Sequence, residues 1–228
     1  MTASAVAKSS PTPSGGGVRR CCRRIAQIVE LEGWRSLWFR SLAALGYQRT
    51  GCLVVRLDEA GASQPPTVPV HVRMLTAEDA EAYVAFRRGA AVSDVHERLG
   101  RGFVCYAGWC EGRLASVTWV ATGRALLWML EAQFDVAPDQ VYLFDSFTHP
   151  DFRGQRIQSA VFAALRADAL AAGRTRGMTF VIPENRPNMK SRGRMGFVRE
   201  GLVGRVKLGP LQWYFSRGRA PALRRWDL

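Results

Sequence analysis

Between Val141 and Ser159 the chain reads Val-Tyr-Leu-Phe-Asp-Ser-Phe-Thr-His-Pro-Asp-Phe-Arg-Gly-Gln-Arg-Ile-Gln-Ser, and residue types that could do chemistry crowd into it. Asp145 sits inside an otherwise apolar strand, where burial would lift a carboxylate's pKa towards the range of a useful base. Its alternation partners Leu143 and Phe147 are expected on the same face. His149 follows the strand with a free-state pKa near neutrality. Arg153, Gly154 and Arg156 mark a turn that opens a long apolar-periodic helix. A strand turning into a helix start leaves backbone N–H groups unpaired, aligned with the positive end of the helix dipole. Fixed donors of that kind suit a phosphate group. A second segment, Glu184 to Phe197, follows a strand at Gly177–Ile182. There Asn185 can cap a helix, Pro187 suits its first turn and Gly196 its stop.

The run Thr148-His149-Pro150-Asp151-Phe152-Arg153-Gly154 resembles the phosphate-loop entry of the GNAT acyltransferase superfamily, whose loop holds the pyrophosphate of coenzyme A. Asn185 and the pair Gly196-Phe197 fall at the spacing of that superfamily's later helix, so the resemblance spans residues 70–216. It implies an α+β (α/β) fold, a GNAT-like mixed central sheet flanked by helices, with an N-terminal helical extension. It also implies direct transfer of an acetyl or other acyl group from acyl-CoA to an amine. The implied donor contacts are Phe147 and Thr148 beside the pantetheine arm, Arg153, Gly154, Gln155, Arg156, Ile157, Gln158 and Ser159 around the phosphates, and Asn185 and Ser191 from the later helix.

Three positions depart from the superfamily's pattern. Arg156 stands where Gly is usual and Gln158 where Gly or Ala is usual, so both side chains are expected to hinder close backbone approach, Arg156 adding charge in compensation. Arg192 stands where many members carry a Tyr that protonates the leaving thiolate. A guanidinium does not give up its proton near neutral pH, so Arg192, with Ser191, is expected to stabilise the thiolate by pairing with it. The catalytic candidates are Asp145 as base, His149 as its alternative and Arg192, with Glu131 a further carboxylate. The expected donor is acetyl-CoA or another acyl-CoA, with no metal. Two other readings use the same residues: a degenerate GNAT-fold binding module for an acidic partner or membrane, and an acyltransferase fed by an acyl carrier protein.

Lys and Arg total 32 against 19 acidic residues, a formal charge of +13. Such a balance favours anionic partners: a nucleotide, an acidic carrier protein or an anionic membrane. Nucleic acid is not expected, because no recognition module accompanies the charge. The 5 cysteines are odd in number and lack paired metal spacing, which fits a reducing, cytoplasmic setting. No apolar run is long enough to span a bilayer.

The elements that must position these residues divide the chain as follows. Residues 1–17 are Ser, Pro and Gly rich and expected to be disordered. Residues 18–59 hold a helical extension and a short strand at Cys52–Leu57. In the extension Arg19, Arg20, Arg23 and Arg24 precede a helical apolar face of Ile25, Ile28, Trp34, Leu37 and Trp38. That face is expected to pack on the chain's own domain or on a second copy in a homodimer; the alternative is docking to a carrier or to the membrane periphery. Residues 60–69 read as a linker, 70–216 as the acyltransferase-like domain, and 217–228 as a loosely held basic tail. Within the domain, strands are expected at Val70–Leu75, Phe103–Cys110, Leu114–Ala121, Val141–Phe147 and Met178–Ile182, and then as three last segments at Phe197–Val203, Val206–Leu208 and Gln212–Ser216. Helices are expected from Thr76, at Ser93–Leu99 and at Gly154–Ala172. Ala125–Phe134 fits strand and helix equally.

Overall fold

The structure is a computed structural model that describes residues 34–60 and 64–226. The expected N-terminal tail and the arginines of the extension lie outside the described residues. The chain runs through α1 (Trp34–Ala44), β1 (Tyr47–Arg56), β2 (His71–Met74), α2 (Ala80–Phe86), α3 (Val92–Gly100), β3 (Val104–Cys110) and β4 (Arg113–Ala121). It continues through β5 (Arg124–Leu127), β6 (Ala132–Asp135), β7 (Gln140–Thr148), α4 (Ile157–Ala171), β8 (Arg176–Val181), α5 (Arg186–Arg194), β9 (Val198–Leu208), β10 (Leu211–Gly218) and β11 (Arg224–Arg225). Eight strands form one sheet in the order β10-β9-β1-β8-β7-β4-β3-β2, and β11-β6-β5 form a small second sheet. All neighbours in the main sheet pair antiparallel except β7 and β8.

The two faces of the main sheet carry separate cores. One holds Tyr83, Phe86 and Val95 of α2 and α3 against Trp119 and Phe144, and the hairpin residues Leu130 and Phe134 belong to it. The other holds Ile157, Val161 and Leu165 of α4 against Leu53, Val55 and Leu143. Gly108 lets α4 lie close on β3, since a Cβ there would sit 3.0 Å from both Ile157 and Val161. This two-sided burial explains the near-continuous apolar runs in β1, β4 and β7.

Four expectations change. The strand expected in the extension is longer, Tyr47–Arg56, and lies inside the sheet between β8 and β9. Its partners are remote in sequence, so no local pattern shows the pairing. The ambiguous Ala125–Phe134 segment is a hairpin, β5 and β6, whose apolar residues face the first core. The basic tail is held: β11 pairs with β6, and Trp226 packs edge-on against Trp128 with ring centroids 4.7 Å apart. The last strands also merge, since β9 is continuous from Val198 to Leu208.

Candidate functional site

The site begins with a fault in β7. Trp119 faces Phe144 and Val117 faces Phe147, so β7 carries one residue more than β4 between the same two pairs. Asp145, at φ +44°, takes up the excess as a bulge. Strict alternation would place Asp145 beside Leu143; the bulge turns it to the other face, among Tyr83, Arg87 and Arg98. Arg87 Nη2 donates to its Oδ1 at 2.8 Å and Arg98 Nη1 to its Oδ2 at 2.7 Å, with Tyr83 Oη at 3.5 Å. The carboxylate is therefore not the acid in an apolar pocket that the strand pattern suggests. Each oxygen already accepts from a guanidinium. Tyr83 itself is pushed up to about 12, first by burial and then by the charge of Asp145, so its hydroxyl remains a donor.

Just before the bulge, β7 loses a neighbour. It pairs with β8 only from Gln140↔Arg176 to Tyr142↔Met178, while β8 follows β1 as far as Val181↔Gly51. From Leu143 onward the β8 side of β7 carries no ladder pairing, which leaves backbone donors and acceptors to be met by something else. The gap opens beside the loop from His149 to Arg156, where α4 begins.

The two departures noted above, Arg156 and Gln158, lie where this loop enters α4. Arg156 adopts φ +60° and Gly154 φ +80°, so the backbone takes the left-handed turn that glycine favours although one position carries a side chain. Gln158 points inward rather than across the loop. Its Oε1 accepts from Ser116 Oγ at 2.7 Å and from Thr148 Oγ1 at 3.3 Å, and its Nε2 donates to Thr118 Oγ1 at 2.6 Å. A polar network on β4 holds the Gln158 side chain.

A cleft of about 950 Å³ lies in front of the loop, between α4 and α5. Thr148, Arg153, Gly154, Arg156, Ile157 and Ser159 line one side, and Ser191, Arg194 and Met195 the other. Among the described lining residues are three arginines and no carboxylate. A helix N-terminus and lining charges of one sign each favour an anion. A second cavity, about 330 Å³, opens on the opposite face of the sheet and is lined by Tyr83, Arg87, Arg88, Asp94, Arg98 and Asp145. Thr148 in one cavity and Asp145 in the other are three residues apart on β7, so about 10 Å of strand connects them.

Solved structures resemble this architecture at low sequence identity. An acetyltransferase from the GNAT family of Colwellia psychrerythraea superposes with a TM-score of 0.50 at 17% identity, covering 67% of this chain and 53% of that one. A GCN5-related N-acetyltransferase from Kribbella flavida gives 0.48 at 14% identity, over 78% and 62%. An aminoglycoside N-acetyltransferase in complex with coenzyme A gives 0.47 at 18%, over 57% and 92%. The fold is the GNAT fold. The chain spans about half the length of the Colwellia protein. No protein-family model and no curated protein sequence matches it.

Within the GNAT fold, the sequence-derived candidates separate. Thr148, Arg153, Gly154, Arg156, Ile157, Gln158, Ser159 and Ser191 meet at the cleft. Phe147 and Gln155 are not among its lining residues: Phe147 packs on Phe86 at 5.3 Å, on the other face, and Gln155 Nε2 turns back to the Asp151 carbonyl at 3.4 Å. Asn185 is an N-cap, its Oδ1 accepting from the Asn188 N–H at 3.2 Å. His149 is half-buried between Phe86 and Phe152, and its Nδ1 faces the Asp151 N–H at 3.4 Å. Glu131 pairs with Arg205 at 2.7 Å, away from both cavities. Arg192 is not among the cleft's lining residues; it is 5% exposed, with Nη1 buried and unpartnered among the described residues. Burial alone lowers its pKa to about 10. Arg194, Arg88 and the Arg87–Arg98 pair escaped sequence reasoning. The basic last turn of α5 was the only signal for Arg194, and nothing local marks a pair joined through a bulge on a distant strand.

Among the described residues no cluster of His, Cys, Asp and Glu is placed to hold a metal, and no helix is long and apolar enough to cross a membrane.

Proposed function

We propose that this chain is an N-acyltransferase that moves an acetyl or other acyl group from acyl-CoA directly to an amine. The observation that carries the reading is the all-cationic cleft at the start of α4, opening onto the unpaired edge of β7. Arg153, Arg156, Arg194 and the loop N–H groups would hold the phosphates, and the free backbone of β7 would take the pantetheine amides. The acceptor would approach from the second cavity, so that amine and thioester meet at the gap between β7 and β8. The amine nitrogen attacks the thioester carbonyl carbon, the C–N bond forms, the C–S bond breaks, and the nitrogen's proton ends on the thiol sulfur. Oriented reactants of this kind need little further help when the amine arrives neutral.

In this reading Asp145 is a positioning residue that holds the bulge, while Arg192 supplies positive charge where sulfur becomes anionic. His149 holds the turn. The experiment is calorimetry of the full chain with acetyl-CoA: binding is expected, and Arg153→Ala should weaken it about tenfold, as for the loss of a charge-assisted hydrogen bond. Absence of binding, or an unaffected variant, would overturn the donor site. A second reading rests on the exposed Arg186, Lys190 and Arg194 of α5 beside the cleft. They would suit an acidic carrier protein bearing the same phosphopantetheine arm. Acylated carrier outcompeting acetyl-CoA as donor would favour it.

A further inference from the structure

The second cavity has a charge pattern that bears on the acceptor, and the inference rests on the acyltransferase reading. Three guanidiniums, Arg87, Arg88 and Arg98, face two carboxylates, Asp94 and Asp145. The carboxylates are committed. Asp145 lies between Arg87 and Arg98, and Asp94 Oδ2 accepts from the Ala91 N–H at 2.8 Å, capping α3. The arginines are not all committed. Asp145 takes one nitrogen each from Arg87 and Arg98, which leaves one positive charge in excess between them. Arg88 is exposed at the cavity and makes no hydrogen bond or ion pair among the described residues.

Size adds a limit. The cavity holds about 330 Å³, at the low end for small-ligand sites. Much of the same sheet face is already occupied by β5 and β6, whose Phe134 packs on Tyr142 and Phe180 with ring centroids 5.0 and 5.3 Å away. A bulky acceptor therefore meets a covered face, and a polycationic amine meets a cavity of net positive charge, three guanidiniums against two carboxylates. A planar guanidinium fork matches carboxylate and phosphate oxygens in two-point contact.

We infer that the acceptor is a small amine carrying its own anionic oxygens, a carboxylate or a phosphate, with Arg88 and the outer nitrogens of Arg87 holding the anionic end. The amine then lies inward, at the Asp145 bulge, and faces the thioester across β7.

The test uses the full chain and probes paired to differ in the anionic group alone: α-amino acids against their amides, and phosphoethanolamine against ethanolamine. Binding is read by calorimetry without donor, and turnover is read with acetyl-CoA. The anionic member of at least one pair should bind about tenfold tighter, the size of one charge-assisted contact. Which pair responds tells carboxylate from phosphate. Arg88→Gln, at an exposed position, should erase most of that preference and leave acetyl-CoA affinity unchanged. Equal binding within every pair, no binding by any probe, or a preference that survives Arg88→Gln would overturn the inference. Acetyl-CoA binding without an anionic preference sinks this inference alone. Anionic preference without acetyl-CoA binding leaves the cavity as an anion site and sinks the acyltransferase reading.

Discussion

Arg156 holds a left-handed backbone conformation that glycine adopts without strain, and a side chain there costs about 1 kcal/mol. Its retention makes sense if the guanidinium contributes something in the cleft it lines. Arg156→Gly should leave the folded state as stable or slightly more so, while acetyl-CoA affinity falls; calorimetry and thermal melting read the two effects separately. Arg192 offers a similar conflict. A buried guanidinium with no ion pair among the described residues destabilises the fold, by about 3 kcal/mol from its lowered pKa. Arg192→Met should raise the melting temperature and slow acyl transfer. A variant that is both less stable and fully active would contradict the proposed role. Asp145 also occupies a strained φ, +44°, but two ion pairs hold it there. Asp145→Asn keeps tolerance of that conformation and loses the charge. A base would show as lost turnover with a changed pH profile; a positioning residue would show as lost stability with the profile unchanged.

At the scale of elements, the turn into α2 carries a pH-sensitive contact. Asp79 accepts from both Nη atoms of Arg73 at 2.6 Å and from the Thr76 N–H at 2.9 Å, and this pairing holds its pKa at about 2. A carboxylate depressed on folding stabilises the protein above its unfolded value, near 4, and the stability is lost as pH falls through the folded value. The contribution is at most about 2 kcal/mol, less after solvent screening. Melting temperature should therefore drop between about pH 4 and pH 2, a window fixed by those two values. The drop should be shallower in Asp79→Asn, and an equal slope in both proteins would count against the contact. The packing of α4 makes another test. Gly108→Val adds bulk where Ile157 and Val161 already approach a Cβ to 3.0 Å, and should cost about 1–3 kcal/mol. Because α4 begins at the loop proposed to hold the phosphates, acetyl-CoA affinity should fall with it.

At the scale of the whole molecule, the N-terminal third is tied to the site through β1. That strand lies between β8 and β9 and contributes Leu53, Val55 and Cys52 to the two cores. A chain beginning at residue 60 lacks it, leaves β8 without its full-length partner, and should fail to fold as judged by loss of a cooperative melt. Truncation before residue 34 removes none of the described strands. Trp38 is 63% exposed on α1, whereas Phe39 packs towards Tyr47 at 6.3 Å, so the described part of the extension is only partly covered by its own domain.

Local chemistry made much of this protein legible without coordinates. The turn from β7 into α4, the Asn185 cap and the long α4 all depend on neighbours in sequence, and so does the pattern of apolar strands. What local pattern could not carry was set by contacts between remote segments. β1 enters the sheet through partners beyond residue 175, Gln158 turns inward because Ser116 and Thr118 await it, and β11 is held by β6. Asp145 is the sharpest case. Alternation assigns it a face from its neighbours, but one extra residue in β7 against β4 reverses that face and delivers it to Arg87 and Arg98. Side-chain type is a property of the sequence; which partners satisfy a charge is a property of register, and register is settled only when the strands pair.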